Sequence, residues 1–495
     1  MEKIVIALLH AVVYSCYSIV YMHFMQLCGY KINRGYNRVL RLQYFWKVLA
    51  LGVVYLIAYI TFDVAKIAVA GFLILSVMLI PFVYARKTKT KYVRTNRIKR
   101  QTICNFLVFM LISYFYPPIP LLILPLIIAI CFFINTPIEY AINRNYLIKS
   151  NKKLQSFPNI KRIVITGSYG KTTVKDFIYQ IVKDKFNTLC TQKSFNTPLG
   201  VSKTINEGLN ENTQLFIAEA GARKKGDIIQ ICKHMQVDIG VITGIAMQHM
   251  ETFLTLENVI NTKLELNDCI KKGGELLYNG DNEILTKSII DRKIQGFSCG
   301  NNGKWLKIDS VGNGAIKLTV DNKTIIAKTT LIGKHNLSNI AMAVAVAYKL
   351  GIPLEYIASK IEHLKASPHR LEVIKSNGIT IIDDTYNSNS FGAAAAIEAL
   401  KELTGEKTIV TCGIVEGGKM QYELNYNLGK SIANIARYVY ISGINTKALK
   451  NGLTDGGFKQ QIVIADAKES AILMKKHLKY GDIVLFLNDL TDNYI

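Results

Sequence analysis

Residues 163–173 read Ile-Val-Ile-Thr-Gly-Ser-Tyr-Gly-Lys-Thr-Thr, and no other run restricts the possible folds as much. Positions 163–165 are apolar and β-branched, as in a buried strand. Gly167 and Gly170 permit a tight loop that a Cβ would crowd. A helical pattern follows over 174–179. Strand, glycine loop and helix N-terminus, in that order, make a cradle of backbone N–H groups for phosphate. Lys171 supplies charge for the outer phosphates and Thr172 a hydroxyl for Mg²⁺. The spacing departs from the common phosphate loop, which has a glycine five positions before the Gly-Lys pair; here that position is Ile165. A glycine turn with a chance Lys-Thr is the plainer alternative, and the order of the elements argues against it.

At 495 residues the chain has room for about three domains. Its formal charge of +24 is unevenly placed: residues 1–150 carry 17 Lys/Arg against 3 Asp/Glu, and the remainder 43 against 33. The basic N-terminal part is also the most apolar. Apolar runs with basic blocks between them point to a membrane and away from nucleic acid. The runs are 4–29, 45–62, 64–85 and 103–136. The first is long enough to span a ~30 Å hydrocarbon core and too long for the core of a cleaved signal peptide. The last is interrupted by Pro117, Pro118 and Pro120 and reads as a tight hairpin. Lys31, Arg34, Arg38, Arg41 and Lys47 make the segment 31–47 basic, and Arg86, Lys87, Lys89, Lys91, Arg94, Arg97, Lys99 and Arg100 do the same for 86–100. Short basic loops stay in the cytoplasm. About five spans satisfy this, with the N-terminus outside, hairpin tips near Asp63 and Pro118 outside, and the chain returning to the cytoplasm near residue 140. A soluble domain of buried helices is the alternative. The nine cysteines form no C-x-x-C pair and read as reduced, with neither a disulfide frame nor a zinc site.

From residue 160 onward strands and helices alternate, which predicts an α/β fold with a mostly parallel sheet and the phosphate loop at a strand's C-terminal end. Strands are expected at 162–166, 214–219 and 238–243. Residues 275–330 suggest an antiparallel insertion or edge, with β-rich runs at 309–320 and 324–329. An Ala-rich helix is expected at 336–348. A second, Rossmann-like α/β unit has strands at 378–383, 407–412, 437–442, 460–464 and 482–487. The expected domains are a transmembrane region at 1–150, an ATP-binding domain at 151–366 and a C-terminal domain at 367–495.

Three further residues carry possible chemistry. Glu219 ends an apolar strand, where a carboxylate beside a phosphate loop can bind Mg²⁺. His249 follows the strand ending at Thr243. Lys263 lies on a helix in Thr-Lys-Leu-Glu-Leu. Taken singly, each is as readily a solvated or structural side chain.

The segments also occur in a familiar order. The chain resembles the Mur ligases, ATP-dependent amide ligases of cell-wall precursor synthesis. Thr166, Gly167, Ser168, Tyr169, Gly170, Lys171, Thr172 and Thr173 match their Thr-Gly-x-x-Gly-Lys-Thr-Thr loop. Residues 194–200 resemble their Asn-containing segment, Glu219-Ala220-Gly221-Ala222 their magnesium-glutamate segment, and 243–249 their histidine segment. Lys263 falls where that family carries a lysine carbamylated by CO₂. Gly333-Lys334-His335-Asn336 with Asn339 is similar to the adenine-side motif. Arg370 matches the arginine that opens the C-terminal domain, although His369 stands where glycine usually precedes it. Residues 383–389 are closest to the branch that adds D-alanyl-D-alanine to a muramyl tripeptide.

The resemblance implies that a carboxylate attacks the γ-phosphate of ATP and that an amine then displaces phosphate from the acyl phosphate. Lys171 and Mg²⁺ would offset the negative charge. Thr172 and Glu219 would hold one metal ion, and His249 with a carbamate on Lys263 a second. Asn336 would contact adenine, Asp384 and Tyr386 the ribose, and Arg370 the phosphates. Mur ligases begin with a soluble domain that grips a UDP-sugar, which the apolar region replaces here. The Lys-Gly-Ser-Arg after the last strand and the diaminopimelate motif Asp-Asn-Pro-Arg are both missing. The expected protein is a multi-pass bacterial membrane ligase with cytoplasmic catalytic domains. It would join an amino acid or short peptide to a carboxylate on an envelope glycan or lipid-linked precursor, with other envelope-assembly proteins as possible partners and no nucleic acid. A polyglutamate-type synthetase and an ATP-gated membrane scaffold or transporter with a vestigial site are the alternatives.

Overall fold

The computed structural model describes residues 2–30, 43–61, 91–192, 195–247, 250–386, 389–415, 417–465 and 467–488. It divides into two compact units. The first holds the described residues up to 145; the second holds the described residues from 146 onward.

The first unit is helical. Its described helices are Glu2–Leu27, Gln43–Thr61, Asn96–Phe115, the short turn Ile119–Leu122 and the start of Leu124–Gln155. Thr95 caps the third, its hydroxyl accepting from the Ile98 N–H. That helix ends at Phe115 with Tyr116 as its extended cap, just before Pro117, and the proline break expected inside 103–136 falls there. The last helix continues without interruption to Gln155, well beyond the expected end near 136. Lys47, expected in a loop, lies inside the second helix. Among the described residues, two helices are long and apolar enough to cross a membrane, Lys3–Leu27 and Leu124–Gln155, and Phe45–Thr61 is a shorter apolar one. The stretch 64–85 and most of the basic residues of 31–47 lie outside the described residues, as do Arg86, Lys87 and Lys89.

The second unit contains two sheets. The larger has strands β1 (Lys161–Thr166), β2 (Thr188–Cys190), β3 (Leu215–Glu219), β4 (Val237–Ile242), β5 (Ile270–Asn279), β6 (Phe297–Gly300), β7 (Leu306–Gly312), β8 (Ala315–Val320) and β9 (Lys323–Lys328), in the order β2-β3-β1-β4-β5-β6-β7-β8-β9. All pairs from β2 to β7 are parallel; β7, β8 and β9 pair antiparallel. The expected antiparallel insertion is thus only the outer edge: β5, β6 and the start of β7 extend the parallel sheet. The run 309–320 is two strands, split by a turn at Asn313-Gly314, both with positive φ.

Strands β3 and β4 are buried along their whole length, as parallel strands covered on both faces must be. One face packs on the helices Lys171–Val182 and Lys334–Lys349 through Ile163, Ile165, Phe177, Ile178 and Ile340. The second of these helices buries Ile340 to Ala347 without a gap; its small side chains let the backbone sit close to the sheet. The other face packs Val164 and Phe216 against Val201, Ile228 and Val259. Truncating Phe177, fully buried, should cost about 3–5 kcal/mol of stability.

The smaller sheet has strands β10 (Glu372–Ser376), β11 (Ile379–Asp384), β12 (Lys407–Thr411), β13 (Tyr438–Ile441), β14 (Ile462–Ile464) and β15 (Ile483–Leu487), ordered β10-β11-β15-β12-β13-β14. Only β10 is antiparallel. Every expected strand of this unit is present, and β10 is additional.

Candidate active site

The phosphate loop leaves β1 at Thr166 and enters the helix Lys171–Val182. Gly170, at φ 75°, caps that helix, and Gly167 has φ 152°; a Cβ on Gly167 would run into the Thr243 hydroxyl. The loop is tied down from three sides. The Thr166 hydroxyl donates to the Ala220 carbonyl at 2.9 Å. The Ser168 N–H donates to the Gly244 carbonyl at 2.8 Å, and the Thr243 hydroxyl donates to the Tyr169 carbonyl. The Asn282 amide donates to the Tyr169 hydroxyl at 2.9 Å. The loop is therefore preorganised before any ligand arrives.

The register of β1 with β3 sets Ile165 beside Glu219, and this puts the carboxylate at the loop. Glu219 is 2% exposed. Its Oε2 accepts from the Thr172 hydroxyl at 2.8 Å and its Oε1 from the Asn196 amide at 3.0 Å. Lys171 Nζ donates to the Gly167 carbonyl at 2.7 Å. Arg370, from the chain leading into β10, reaches Thr172 Oγ1 at 3.5 Å and lies 4.5 Å over the Tyr386 ring.

Lys263, on the helix Leu256–Leu264, is 3% exposed. Burial, and then the positive Lys171, push its ammonium down to about 7; Asp227, Glu219 and Glu265 oppose this. Burial lowers Lys171 too, and Arg370 adds to the effect while Glu219 opposes it. Lys171 and Arg370 therefore bring two cations to the loop against Glu219, and Lys263 lies within electrostatic reach of both Lys171 and Glu219. That surplus suits a site where anions must meet. Thr172 and Glu219 together offer the hard oxygen donors that Mg²⁺ takes, so the residues present fit that ion.

The structure brings together Thr166, Gly167, Ser168, Tyr169, Gly170, Lys171, Thr172, Glu219 and Arg370. Thr173 is buried on the first turn of the loop helix. Asn336 and Asn339 are buried at the start of the helix Lys334–Lys349, hydrogen-bonded to each other at 3.3 Å, and Asn339 lies against Gly170. Asp384 ends β11, where burial pushes its carboxyl up to about 6 against the Leu371 N–H and Arg370, which lower it. His249 lies outside the described residues. Among those described, the one group of three side chains close enough to hold a metal is His369, Glu372 and Asp383, away from Glu219 in sequence and tied up in its own contacts. The His369 N–H donates to Glu372, its ring pairs with Asp383 at 2.7 Å, and its carbonyl accepts from the Tyr386 N–H. His369 has φ 61°, a conformation costing a non-glycine residue about 1–2 kcal/mol. That is a physical reason for glycine at this position, and these contacts hold the histidine there instead.

Two contacts were not expected. Asn196 holds Glu219 from the side opposite Thr172; its place in the 194–200 segment was the available signal. Phe391, in the first turn of the helix Ser390–Lys401, stacks on Tyr169 with ring centroids 4.3 Å apart and planes at 17°. Nothing in the spacing announces this pair.

A preorganised Gly-Lys-Thr-Thr loop with a buried acidic partner, on a parallel sheet followed by a second α/β sheet that sends an arginine to the loop, defines a P-loop nucleotide-using enzyme. Residues 165–347 match the Mur ligase middle domain and residues 369–488 the Mur ligase, glutamate ligase domain. Together these cover more than half of the chain, which belongs to the Mur ligase family, a family of ATP-dependent ligases. Among curated relatives, the UDP-N-acetylmuramoyl-tripeptide--D-alanyl-D-alanine ligase of Buchnera aphidicola is 32% identical over 283 residues, covering 56% of this chain and 61% of the relative. The enzyme of that name from Bacillus subtilis is 28% identical over 331 residues, covering 66% and 72%. The chain thus spans less than two thirds of the first relative's length. Among solved structures, MurF from Acinetobacter baumannii superposes with a TM-score of 0.64 at 25% identity, covering 70% of this chain and 77% of that one. MurF from Thermotoga maritima in complex with ADP shares the fold, with a TM-score of 0.63 at 24% identity.

Proposed function

We propose that this protein is a membrane-embedded, ATP-dependent ligase that forms an amide through an acyl phosphate. The acid would be a carboxylate on an envelope glycan or its lipid-linked precursor. The amine would be an amino acid or short peptide. The observation that carries this reading is the meeting of Lys171, Thr172, Glu219 and Arg370 at one loop.

In this mechanism the acceptor carboxylate attacks the γ-phosphorus and the bond to the ADP oxygen breaks. The amine then attacks the acyl carbon, phosphate leaves, and the amine loses a proton. Both reactants of the first step are anionic, so the surplus of positive charge stabilises the transition state. Lys171 would face the outer phosphates, and Arg370 would add charge from the C-terminal side. Mg²⁺, held by Thr172 and Glu219, would supply Lewis-acid charge at the phosphates. Asn336 would face the adenine, and Asp384 and Tyr386 the ribose. The test is release of ADP and phosphate by the purified full chain, which should require both an amine and a carboxylate acceptor. Mass spectrometry of envelope glycans with and without the protein should reveal a lost amino-acid substituent. ATP hydrolysis indifferent to every acceptor and amine, with unchanged glycans, would point to the vestigial-site alternative.

The Tyr169–Phe391 stack should keep the second sheet's domain closed over the loop. An acyl phosphate open to water hydrolyses, so closure matters for coupling. Phe391→Ala is expected to raise ADP release per amide formed several-fold, while Phe391→Tyr should keep the wild-type ratio. Equal ratios in all three proteins would show the stack to be incidental.

The membrane assignment is supported by the outer faces of the first unit. Ile103, Leu107, Leu111 and Phe115 form a stripe at four-residue spacing, each 57–75% exposed, on a helix of otherwise mixed character. Stripes of that size are rarely left to water. Single cysteines introduced into a cysteine-free background give the topology. Cysteines at Asn33 and Asn96 should resist an impermeant reagent in intact cells, and one at Glu2 should react. Labelling at Asn96 from outside would reverse the orientation and separate the ligase site from cytoplasmic ATP.

A further inference from the structure

The first unit contains a charge that the described residues around it do not fully answer. Residues 1–145 hold three carboxylates, Glu2, Asp63 and Glu139. Of these, Glu139 is 7% exposed and faces two guanidinium groups. Arg100 holds one of its oxygens: its Nε donates to Glu139 Oε1 at 2.7 Å, and a second guanidinium nitrogen lies 2.5 Å from the same oxygen. Arg97 stands farther away, with its Nε 4.0 Å from Oε2. Arg97 makes no hydrogen bond among the described residues, and its Nε is buried without a partner. Its guanidinium lies 3.9 Å over the Tyr30 ring, which fixes its plane, and its side chain remains 32% exposed.

The polar groups next to it behave differently. The Gln101 amide donates to Asn105 at 3.0 Å, and the Asn135 amide donates to Gln101 at 3.0 Å and to the Cys131 carbonyl at 2.9 Å. These buried amides brace the helices against one another and are satisfied. A buried, unpartnered donor on a cation costs about 1–3 kcal/mol or more. Two guanidinium groups sharing one carboxylate leave a net positive charge. A planar guanidinium fork, fixed by an aromatic ring, is suited to a phosphate oxygen pair.

We propose that Arg97 and Arg100 form a binding site for a phosphate or diphosphate ester. Ile103, Leu107 and Leu111 follow on the same helix and are exposed, so the ester is one whose other substituent is a long apolar chain. This rests on the membrane reading above and sharpens it: the anchor of the acceptor would be held by its phosphate at the polar end of an apolar helix face.

The experiment uses the full chain in nanodiscs of neutral lipid, without ATP or amine. Binding of a polyprenyl diphosphate, the matching polyprenyl alcohol and inorganic pyrophosphate is measured by native mass spectrometry. The diphosphate lipid should bind and the alcohol should not. Arg97→Gln should weaken binding about tenfold or more, and Arg97→Lys, which keeps the charge but loses the fork, less than that. Thermal unfolding checks that each variant is folded, and the lysine variant keeps the test informative if the glutamine variant is not. Equal binding of the alcohol, or wild-type affinity in both variants, would overturn the site. Tight binding of pyrophosphate with no gain from the prenyl chain would support the phosphate site and assign it to a soluble ester. Because no nucleotide is present, failure here leaves the ligase reading standing, and loss of ligase activity with lipid binding intact is the converse.

Discussion

Lys171→Ala should lower ADP and phosphate release by about 10²–10³-fold or more at saturating substrates, the scale for removing one preorganised group from a charged transition state. The side chain is placed for that loss and for little else. Its Nζ contacts the Gly167 carbonyl of its own loop, and burial already depresses its pKa. A cation that the fold holds at a cost can be removed without loosening the fold. The unfolding midpoint should therefore stay near the wild-type value, and nucleotide affinity should fall less than turnover. The loop itself survives the change. The Thr166 and Thr243 hydroxyls and the Ser168 N–H still pin it, and Thr172 still meets Glu219. A folded Lys171→Ala protein with full turnover would remove the phosphate-loop assignment and with it the acyl-phosphate mechanism.

The sequence was readable where one local signal decides the structure. At 161–182 the apolar run, the two glycines and the amphipathic helix agree; the strand follows the expectation to within a residue, and the helix runs three residues further at each end than the expected 174–179. Glu219 could be placed as well, because a parallel strand beside β1 must end at the same edge of the sheet. The misreadings share another cause. Strand β2 has three residues and β10 is an exposed edge, so neither buries enough apolar surface to leave a period. Strand β5 begins Ile-Lys-Lys-Gly-Gly, which reads as a turn; the sheet overrides it by pairing Val237 with Ile270 and, across a register shift, Ile239 with Glu275. With β5 hidden, the parallel half of 270–312 looked like part of the antiparallel edge. Contacts between the two sheets' domains, such as Phe391 on Tyr169 and Arg370 at Thr172, join residues about 200 positions apart in chain, and no spacing rule reaches that far. In the N-terminal part, hydropathy located the apolar runs but not the helix ends. Lys47 and the polar residues after 136 are carried into helices that continue through them.

Lys263→Ala should be nearly inactive, and here the expected cause is chemical. A lysine reacts with CO₂ only as the neutral amine: the ammonium first gives up one proton, the nitrogen then bonds to carbon and loses a second, and a cation has become an anionic oxygen donor. With its ammonium pushed down to about 7, about half of Lys263 is neutral at pH 7, against well under a hundredth for a lysine of ordinary pKa. The surrounding charge favours the product as well. Lys171 is the largest charged contributor to the depressed pKa, and the repulsion that disfavours a second cation becomes attraction once Lys263 carries a carbamate. The sign of the pH effect follows. Above about 7 the amine is available and the carbamate can form; as pH falls through 7 toward 6 the amine is protonated and activity should fall with it, recovering in part when bicarbonate is raised. Depleting bicarbonate at pH 7.5 should lower wild-type turnover and leave Lys171→Ala no worse. Formate or acetate should restore a fraction of Lys263→Ala activity by offering the missing oxygen ligand. A purely structural lysine would also be sensitive to substitution, so the deciding readout is spectroscopic. Wild-type protein in ¹³C-bicarbonate should show a carbamate carbon resonance that is absent from Lys263→Ala. No resonance in an active wild-type enzyme, or normal rates in the alanine variant, would return Lys263 to the role of a buried helix residue.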